Sequence, residues 1–326
     1  MSTGKLVGQC TETELIAAFA PYLQRGPYTL VGPGDDCALI TAPDARFVIS
    51  TDMLVEGVHF RRGWSSAFQV GQTAAARNLA DIAAMGAVPS AMVCSLALPQ
   101  DLPTAWVVEF CQGLASYGCA VEGGDLVGSK VLTISVTVTG DLGGAAPILR
   151  SGAQVGDQVV LCGQIGMAAA GWAAFESGRG SNAYQNTSVL EDAARQAFLA
   201  PHPPLEMGPV LRESGATAML DTSDGLLLDG QRLAAASGVQ LDLSSSALSP
   251  FVTYLQPLAE QLGVDPWKWV LAGGEDHCLL ATIAPHREVS GGDVPVVPVG
   301  TVRAGAGITL DGKTAPRARG WDHFMR

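Results

Sequence analysis

The chain has 326 residues, of which 48% are apolar and 15% are charged, and its formal net charge is −12. This composition excludes a disordered chain, and the length suffices for two domains of ordinary size. The acidic balance argues against nucleic acid as a partner, because phosphate backbones are bound by Lys and Arg. A small anionic ligand is also repelled unless divalent cations lie between it and the protein.

The cysteines and the apolar segments indicate the compartment. The seven cysteines show no C-x-x-C pair and no zinc-like spacing, which is typical of reduced thiols in the cytosol. The N-terminus lacks a signal-peptide pattern, and no apolar run approaches the roughly 20 residues of a membrane helix. We therefore expect a cytoplasmic protein with no membrane partner.

The N-terminal half alternates predicted helices and strands. Thr11 and Glu14 have the spacing of a capping box at the start of a helix. Alanine-rich and alternating apolar segments then predict helices and strands, respectively. In chain order these are a strand over 46–51, a helix over 66–84, a strand over 91–98, a helix over 104–118 and a half-buried strand over 131–140.

A domain boundary is expected in the segment 141–157, which is rich in Gly, Ala and Pro. We therefore predict an N-terminal domain over 1–145 and a C-terminal domain over 146–326. The second half restarts with a strand and a helix beginning near Met167, and further strands are expected before Asp221 and around 269–283. Two α/β-type domains that face a shared cleft are the simplest architecture.

Carboxylates recur in glycine-rich segments along both halves, where they suit hard cations and the phosphates that such cations carry. Asp81 is predicted to lie on a core-facing helix and therefore needs a partner, which is either Arg77 or a metal. Each of the other groups can also be read as ordinary turn or helix-capping residues. These groups are Asp35–Asp36, Asp52, Gly123–Asp125, Asp221–Asp224 and Glu275–Asp276.

One apparent nucleotide motif is rejected on its context. Residues 307–314 match the Walker A pattern formally. However, 308–310 predict a strand, Asp311 and Gly312 predict a hairpin turn, and Pro316 follows where a helix would have to begin. The pattern therefore predicts a hairpin and no P-loop.

Two other functional patterns also fail. A loop counted from Asp221 is not an EF-hand, because its twelfth position is Arg232 where Glu is required. The five histidines show neither a metal-binding spacing nor a Ser/His/Asp arrangement. We expect His59 to line the cleft, and His277 and His286 to be surface or turn residues. No catalytic residue is predicted.

The motifs, taken in order, resemble those of the thiamine-monophosphate kinases. This family lies within the superfamily of aminoimidazole-ribotide synthetase and selenophosphate synthetase. The resemblance extends from about residue 14 to residue 324. It rests on "GPGDDCALI", "VISTDMLVEGVHF", "NLADIAAMGAVP", "GGDLVGS", "RSGAQVGD", "DTSDGLLLD", "LAGGEDHCLL" and "GWDHF".

The resemblance implies an α+β fold with two α/β-type domains, the N-terminal one pairing across a homodimer and the C-terminal one closing an acidic cleft. It also implies transfer of a phosphoryl group from ATP to thiamine monophosphate with several Mg²⁺ ions, as the final step of thiamine diphosphate biosynthesis. The ATP contacts implied by the matching motifs are Gly124, Asp125, Arg150 and Ser223. The implied contacts with the thiamine substrate are His59, Glu275 and Trp321. The implied Mg²⁺ ligands are Asp35, Ser50, Thr51, Asp52, Asp81, Asp125, Asp221 and Asp224.

This sequence departs from the family pattern at three positions. Pro33 stands between the glycines that precede Asp35, Ala80 stands where Ser commonly precedes the helix aspartate, and His277 stands where Tyr is frequent. None of the three is in the implied site. Asp36 and Asp276, the second members of their acidic pairs, are interpreted as bystanders.

Alternatives remain open at this stage. Trp321 either packs into the core of the second domain or stacks on a ring of the substrate. The protein could also be a superfamily relative that acts on another small substrate, a metal-dependent phosphatase, or a protein that uses cations only structurally.

Overall fold

The computed structural model describes residues 5–23, 25–32, 37–178 and 188–316. Its contacts divide the chain into two compact units. Unit 1 comprises Met1–Ile82 and Pro89–Ala145, and unit 2 comprises Ala83–Val88 and Ala146–Arg326. Each unit has its own sheets and its own buried apolar residues.

Unit 1 combines helices with a two-stranded and a four-stranded sheet. Two short 3-10 helices cover Val7–Gln9 and Ala20–Tyr22. The α-helices are α1 (Glu12–Phe19), α2 (Ala67–Ala84, whose last two residues belong to unit 2) and α3 (Thr104–Ala115). The strands are β1 (Thr29–Val31), β2 (Leu39–Ile40), β3 (Val48–Val55), β4 (Val88–Leu98, whose first residue belongs to unit 2), β5 (Val121–Gly128) and β6 (Thr133–Asp141).

The local signals in the sequence account for two of the helices. The Thr11 hydroxyl accepts a hydrogen bond from the Glu14 amide at 3.2 Å, and the Glu14 carboxylate accepts one from the Thr11 amide at 2.9 Å. The predicted capping box is therefore confirmed. The alanine-rich helix α2 has the predicted extent, and Gly86 follows it with a φ of +72°.

The four-stranded sheet of unit 1 has the order β3-β6-β4-β5. β3 and β6 are antiparallel, whereas β4 and β5 are parallel. Along β6 the buried and partly buried residues alternate, with Ile134, Val136 and Val138 fully buried. This alternation confirms the half-buried strand expected over 131–140. In the strand order given above, β3 and β5 are the two edges of the sheet.

Two sequence-based expectations about local structure were wrong. Gly123, Gly124 and Asp125 were expected in a turn, but they lie inside strand β5. The segment 269–272 was expected to be a strand, but it ends a helix over Pro266–Ala272. Asp265 accepts a hydrogen bond from the Trp267 amide at 3.0 Å and starts that helix.

Unit 2 is larger and contains a seven-stranded sheet. Its α-helices among the described residues are α4 (Met167–Glu176), α5 (Val189–Leu199), α6 (Met207–Glu213), α7 (Leu226–Ser237), α8 (Ser245–Leu262) and α9 (Pro266–Ala272). Its strands are β7 (Gln158–Cys162), β8 (Ala216–Asp221), β9 (Gln240–Leu243), β10 (Leu279–Ile283), β11 (Val296–Arg303), β12 (Gly307–Leu310) and β13 (Lys313–Thr314).

The sheet of unit 2 has the order β13-β12-β9-β11-β7-β10-β8 and is largely antiparallel, with β12 and β9 as the parallel pair. Alternate residues of its strands enter two separate cores, since Val159 and Leu161 lie in one and Val160 and Cys162 in the other. Helices therefore cover both faces of the sheet. The combination of helices with mainly antiparallel pairing is an α+β fold.

The apparent Walker A segment forms a hairpin, as predicted. Leu310 of β12 pairs with Lys313 of β13 in antiparallel register. Asp311 and Gly312 between them have φ values of +52° and +73°, as a tight hairpin turn requires. No helix in the described part of the chain has the length and apolar character needed to cross a membrane.

Candidate active site

In unit 1, strand β3 and helix α2 bring three oxygen-bearing side chains to one face. Side chains alternate along a strand, so Ser50 and Asp52 share the partly buried face of β3. The Ser50 hydroxyl donates a hydrogen bond to Oδ2 of Asp81 on α2 at 2.5 Å. A hydroxyl and two carboxylates are ligands that suit Mg²⁺. The donor set that the structure brings together here therefore fits this cation.

Asn78 holds the backbone of this group in position. Its side-chain oxygen accepts a hydrogen bond from the Asp52 amide at 2.9 Å, and its amide nitrogen donates to the Ala74 carbonyl at 2.9 Å. The side chain is fully buried. Asn78 was not predicted as a site residue, although it lies three residues before Asp81 and therefore on a neighbouring position of the same helix face.

Arg77 supplies a fixed positive charge beside this group. It was considered as a partner of Asp81, and its Nε lies 3.8 Å from Oδ2 of Asp52. The Arg77 side chain is 10% exposed and the Asp52 side chain is 38% exposed, so solvent screens part of their attraction. The guanidinium therefore compensates part of the negative charge of the group.

Thr51 points away from Ser50 and Asp52. Its hydroxyl donates to the Val136 carbonyl at 3.0 Å and accepts from the Thr137 hydroxyl at 2.9 Å. The structure therefore does not bring the Thr51 hydroxyl to the face that carries the other oxygen ligands.

Gly124 and Asp125 lie at the far edge of the same sheet. A Cβ atom on Gly124 would lie 1.8 Å from the carbonyl oxygen of Cys94, so only glycine permits this approach of β5 to β4. Asp125 pairs with Ser95 and is exposed. Strands β6 and β4 separate β5 from β3, and within one copy Asp125 is therefore about three strand spacings, or roughly 14 Å, from β3.

His59 lies four residues after the end of β3, and its ring is held by the backbone of that strand. Its Nδ1 accepts a hydrogen bond from the Val55 amide at 3.0 Å. A neutral imidazole that accepts through one nitrogen carries its proton on the other. The proton of the neutral His59 ring is therefore on Nε2.

In unit 2, the end of β8 and the loop after α9 meet through their backbones. The Thr222 amide donates to the Cys278 carbonyl at 2.8 Å, and the Glu275 amide donates to the Ser223 carbonyl at 2.8 Å. A Cβ atom on Gly274 would lie 2.5 Å from the Ser223 carbonyl oxygen. The close backbone contact requires glycine there and brings the segments carrying Asp221 and Glu275 together.

His277 lies between those two carboxylates. Its Nδ1 is 3.2 Å from Oδ2 of Asp221, and its Nε2 is 3.7 Å from Oε2 of Glu275. The expectation of a surface or turn position was wrong as to exposure, because His277 is 1% exposed. Burial lowers the pKa of His277, but the two carboxylates outweigh burial and raise the pKa to about 10. The ring is therefore a buried cation between two acidic groups.

Asp276 also has a structural role that the sequence did not indicate. It was interpreted as a bystander, yet its carboxylate accepts hydrogen bonds from the amides of Gly166 at 2.6 Å and Ala168 at 2.8 Å. These amides belong to the N-terminus of α4, where an anion is favoured. Burial raises the pKa of Asp276 to about 7 even though the two backbone bonds lower it. Asp276 thus anchors the loop that carries Glu275 and His277.

Asp224 already has a protein cation as its partner. Nη1 of Arg232 lies 2.6 Å from Oδ2 of Asp224 and 2.6 Å from Oδ1 of Asp229. Asp229, which the sequence analysis did not identify, also accepts a hydrogen bond from the Asp224 amide at 2.9 Å. Burial raises the pKa of Asp229 to about 6. A metal at Asp224 would therefore have to share this carboxylate with Arg232.

Arg150 and Ser223 lie at opposite ends of α7. The Arg150 carbonyl accepts a hydrogen bond from the hydroxyl of Ser237, the last residue of that helix, at 2.9 Å. Ser223 precedes the first turn, and the 12 residues of α7 span about 18 Å. The backbones of Arg150 and Ser223 are therefore about one length of α7 apart.

Two predicted site residues, Asp35 and Trp321, lie outside the described residues, as do Pro33 and Asp36. Within the described ranges, no group of three or more His, Cys, Asp or Glu side chains is arranged to hold a metal ion. The group in unit 1 has two carboxylates and a hydroxyl. Any further metal ligand must therefore come from outside the group of Ser50, Asp52 and Asp81.

Comparison with known proteins connects these groups with one family. The family model of AIR synthase related protein, N-terminal domain, matches residues 34–142. A thiamine-monophosphate kinase of Mycobacterium tuberculosis is 42% identical over 92% of this chain and 88% of its own. The chain belongs to the thiamine-monophosphate kinase family.

Solved structures agree with this membership. A thiamine-monophosphate kinase from Stenotrophomonas maltophilia K279a aligns with a TM-score of 0.78 at 30% identity, covering 93% of this chain and 96% of that chain. A structure of AaThiL complexed with AMPPCP and TMP also aligns with a TM-score of 0.78, at 32% identity, covering 89% of this chain and 91% of that chain. The predicted family and the α+β fold class are thus confirmed.

Proposed function

We propose that this protein transfers the γ-phosphoryl group of ATP directly to the phosphate of thiamine monophosphate and so forms thiamine diphosphate. The observation that carries the proposal is the group of Ser50, Asp52 and Asp81, in which a strand and a helix present only oxygen ligands, in a member of the thiamine-monophosphate kinase family. Such ligands suit the Mg²⁺ that accompanies ATP.

The proposed Mg²⁺ ligands are Ser50, Asp52 and Asp81 in unit 1 and Asp221 in unit 2, together with the implied Asp35, Asp125 and Asp224. Thr51 is left out of this set, because its hydroxyl is bonded to Val136 and Thr137 on the other face of β3. Bound Mg²⁺ neutralises phosphate charge and lowers the repulsion between donor and acceptor. The net charge of −12 supports a role for cations, because the protein itself repels both substrates.

No general base is required for this reaction. A phosphate monoester is mostly dianionic at neutral pH, since its second pKa is about 6, and it is therefore already a nucleophile. His59 is proposed to contact the thiamine substrate, and Arg150 can supply a fixed cation to phosphate oxygens. The side chains thus orient two anions for in-line transfer, and positioning provides much of the rate.

The homodimer is part of the proposal, because the sheet of unit 1 separates two of the proposed ligand groups. Carboxylate oxygens on one Mg²⁺ lie within about 4.2 Å of each other, since each Mg–O bond is about 2.1 Å. Asp125 on β5 and Asp52 on β3 are separated by two intervening strands in the sheet of one copy. We therefore propose that β5 of a second copy lies beside β3, so that Asp125 of one copy joins Asp52 of the other.

The surface of β3 supports this partner. Ile49 is 62% exposed and Met53 is 53% exposed, and both lie on the face of β3 opposite to Asp52. Val127 of β5 is also exposed at 57%. Exposed apolar side chains beside open strand edges are typical of surfaces that pair with another chain.

We also propose a cytoplasmic location. The seven cysteines among the described residues are all free, and reduced thiols are typical of the cytosol.

The test is a substrate-dependence assay. The protein is incubated with ATP, Mg²⁺ and thiamine monophosphate, and ADP and thiamine diphosphate are measured by chromatography. We expect equal amounts of both products, and no ADP without thiamine monophosphate. Release of free phosphate without that substrate would instead identify a phosphatase, and the absence of turnover would leave only binding.

Two variants test the ligand assignment. Asp52→Ala and Asp221→Ala should abolish turnover while the unfolding transition remains cooperative. Asp101→Ala, at an exposed aspartate outside the proposed site, is the matched control and should retain wild-type turnover. Wild-type rates in both site variants would refute the assignment.

A further inference from the structure

The buried ring of His277 lies between two chain segments that are expected to bind different ligands. Asp221 ends β8 and is proposed to bind Mg²⁺, whereas Glu275 lies in the loop after α9, and the family resemblance implies that it contacts the thiamine substrate. The two ring nitrogens of His277 face these two carboxylates, Nδ1 at 3.2 Å from Asp221 and Nε2 at 3.7 Å from Glu275.

The backbone around His277 holds the ring in this orientation. His277 and Glu275 both have left-handed backbone conformations, with φ values of +50° and +68°. Non-glycine residues adopt such angles rarely, and the surrounding contacts must enforce them. The His277 amide donates to the Thr222 carbonyl at 3.1 Å, and the buried Asp276 carboxylate fixes the residue between them to the N-terminus of α4.

Resting on the proposed function, we propose that His277 is a positioning residue that sets the separation of Asp221 and Glu275. Nδ1 orients the Asp221 carboxylate for the metal, and Nε2 orients the Glu275 carboxylate for the thiamine substrate. The imidazole is suited to this role because its two nitrogens face two carboxylates at the same time, whereas a tyrosine side chain at this position has a single polar atom.

A purely structural histidine does not account for this geometry. A core histidine needs partners only to satisfy its own nitrogens, and backbone carbonyls serve that purpose. Here both nitrogens face carboxylates from separate segments, and Nε2 has no hydrogen-bond partner within the described residues even though it is buried. The 3.7 Å separation from Glu275 is longer than a hydrogen bond, and we expect it to shorten when substrate engages Glu275.

The two nitrogens can be tested separately. In His277→Asn the side-chain amide replaces the Nδ1 donor, and in His277→Gln it replaces the Nε2 donor. His277→Asn should therefore raise the KM for thiamine monophosphate, by roughly tenfold or more for a lost hydrogen bond to a charged group. His277→Gln should instead raise the Mg²⁺ concentration for half-maximal rate and lower kcat, with little change in that KM.

Equilibrium binding gives a readout that does not depend on turnover. Titration calorimetry should show weaker binding of thiamine monophosphate to His277→Asn and weaker binding of Mg²⁺ with ADP to His277→Gln. His286→Asn and His286→Gln are the matched controls at an exposed histidine and should behave as the wild type. Thermal unfolding of each variant establishes that it is folded.

The outcomes distinguish the two proposals. If the wild type forms thiamine diphosphate but both His277 variants change the same parameters equally, or change none, the positioning role is refuted and the proposed function stands. If the wild type neither binds nor phosphorylates thiamine monophosphate, the proposed function fails and the positioning role fails with it.

Discussion

Substitution of Asp276 tests how the loop that carries Glu275, Asp276 and His277 is held in place. Asp276→Ala removes the acceptor for the amides of Gly166 and Ala168, which are both buried. Each buried donor left without a partner costs about 1–3 kcal/mol, so the two together cost about 2–6 kcal/mol. The matched control is Asp265→Ala, which removes one exposed helix cap and should cost about 1 kcal/mol.

The cost of Asp276→Ala should also depend on pH. Burial raises the pKa of Asp276 to about 7, whereas an unfolded aspartate titrates near 4. Between these values the folded state binds more protons than the unfolded state, so the contribution of Asp276 to stability falls as pH rises. The full fall across this window is about 4 kcal/mol, from about three pKa units at 1.36 kcal/mol each.

Equilibrium urea unfolding of the full chain at pH 5 and pH 8, followed by circular dichroism, measures both effects. We expect the difference between the wild type and Asp276→Ala to be large at pH 5 and smaller at pH 8. For Asp265→Ala, that difference should be the same at both values. The reasoning is refuted if Asp276→Ala costs no more than Asp265→Ala at pH 5, or if its cost grows with pH.

Three further predictions concern packing and buried polar groups, each measured by urea unfolding. Gly124→Ala should destabilise the protein by several kcal/mol because its Cβ would overlap a backbone carbonyl at 1.8 Å, whereas Gly123→Ala, whose nearest neighbour is 3.9 Å away, should cost less than about 1 kcal/mol. Equal costs would contradict the close approach. Asn78→Ala leaves the Asp52 amide without its acceptor and should cost about 1–3 kcal/mol and lower turnover, so unchanged turnover would argue against the role of that contact. Arg195 forms a buried ion pair with Glu191 at 2.7 Å. Arg195→Met leaves the Glu191 carboxylate buried without its counter-charge and should cost about 3–5 kcal/mol, so an unchanged free energy of unfolding would contradict this ion pair.

Much of the local structure could be predicted where one signal dominates. The capping box of Thr11 and Glu14, the alanine-rich helix before Gly86 and the hairpin at Asp311 are each specified by residues that are adjacent in the sequence. Asp52 and Asp81 could be singled out for a similar reason, since Asp52 follows apolar strand residues and Asp81 lies on a periodic helix, whereas their role as Mg²⁺ ligands stays a prediction.

Two of the three errors occur where a distant contact decides the structure. Gly123 and Gly124 have the composition of a turn, yet they lie in a strand because another strand approaches at Gly124. His277 was expected at the surface, but the backbone contacts of its loop with Thr222 and Ser223 bury it. The helix at 266–272 was missed although Asp265 and a proline at the first position of the helix are a start signal within the sequence.

The assignment of residues 83–88 to unit 2 has a consequence for the way the chain can be divided. Ala83 and Ala84, at the end of the helix that carries Asp81, are buried in a core with Leu211 and Met219. The Gly86 carbonyl accepts a hydrogen bond from Nη1 of Arg212 at 2.5 Å. A fragment that starts at residue 146 would lack these groups and expose an apolar gap in its own core. The units are therefore interlocked in the sequence, and we expect fragments cut at this boundary to fold only when both are present together.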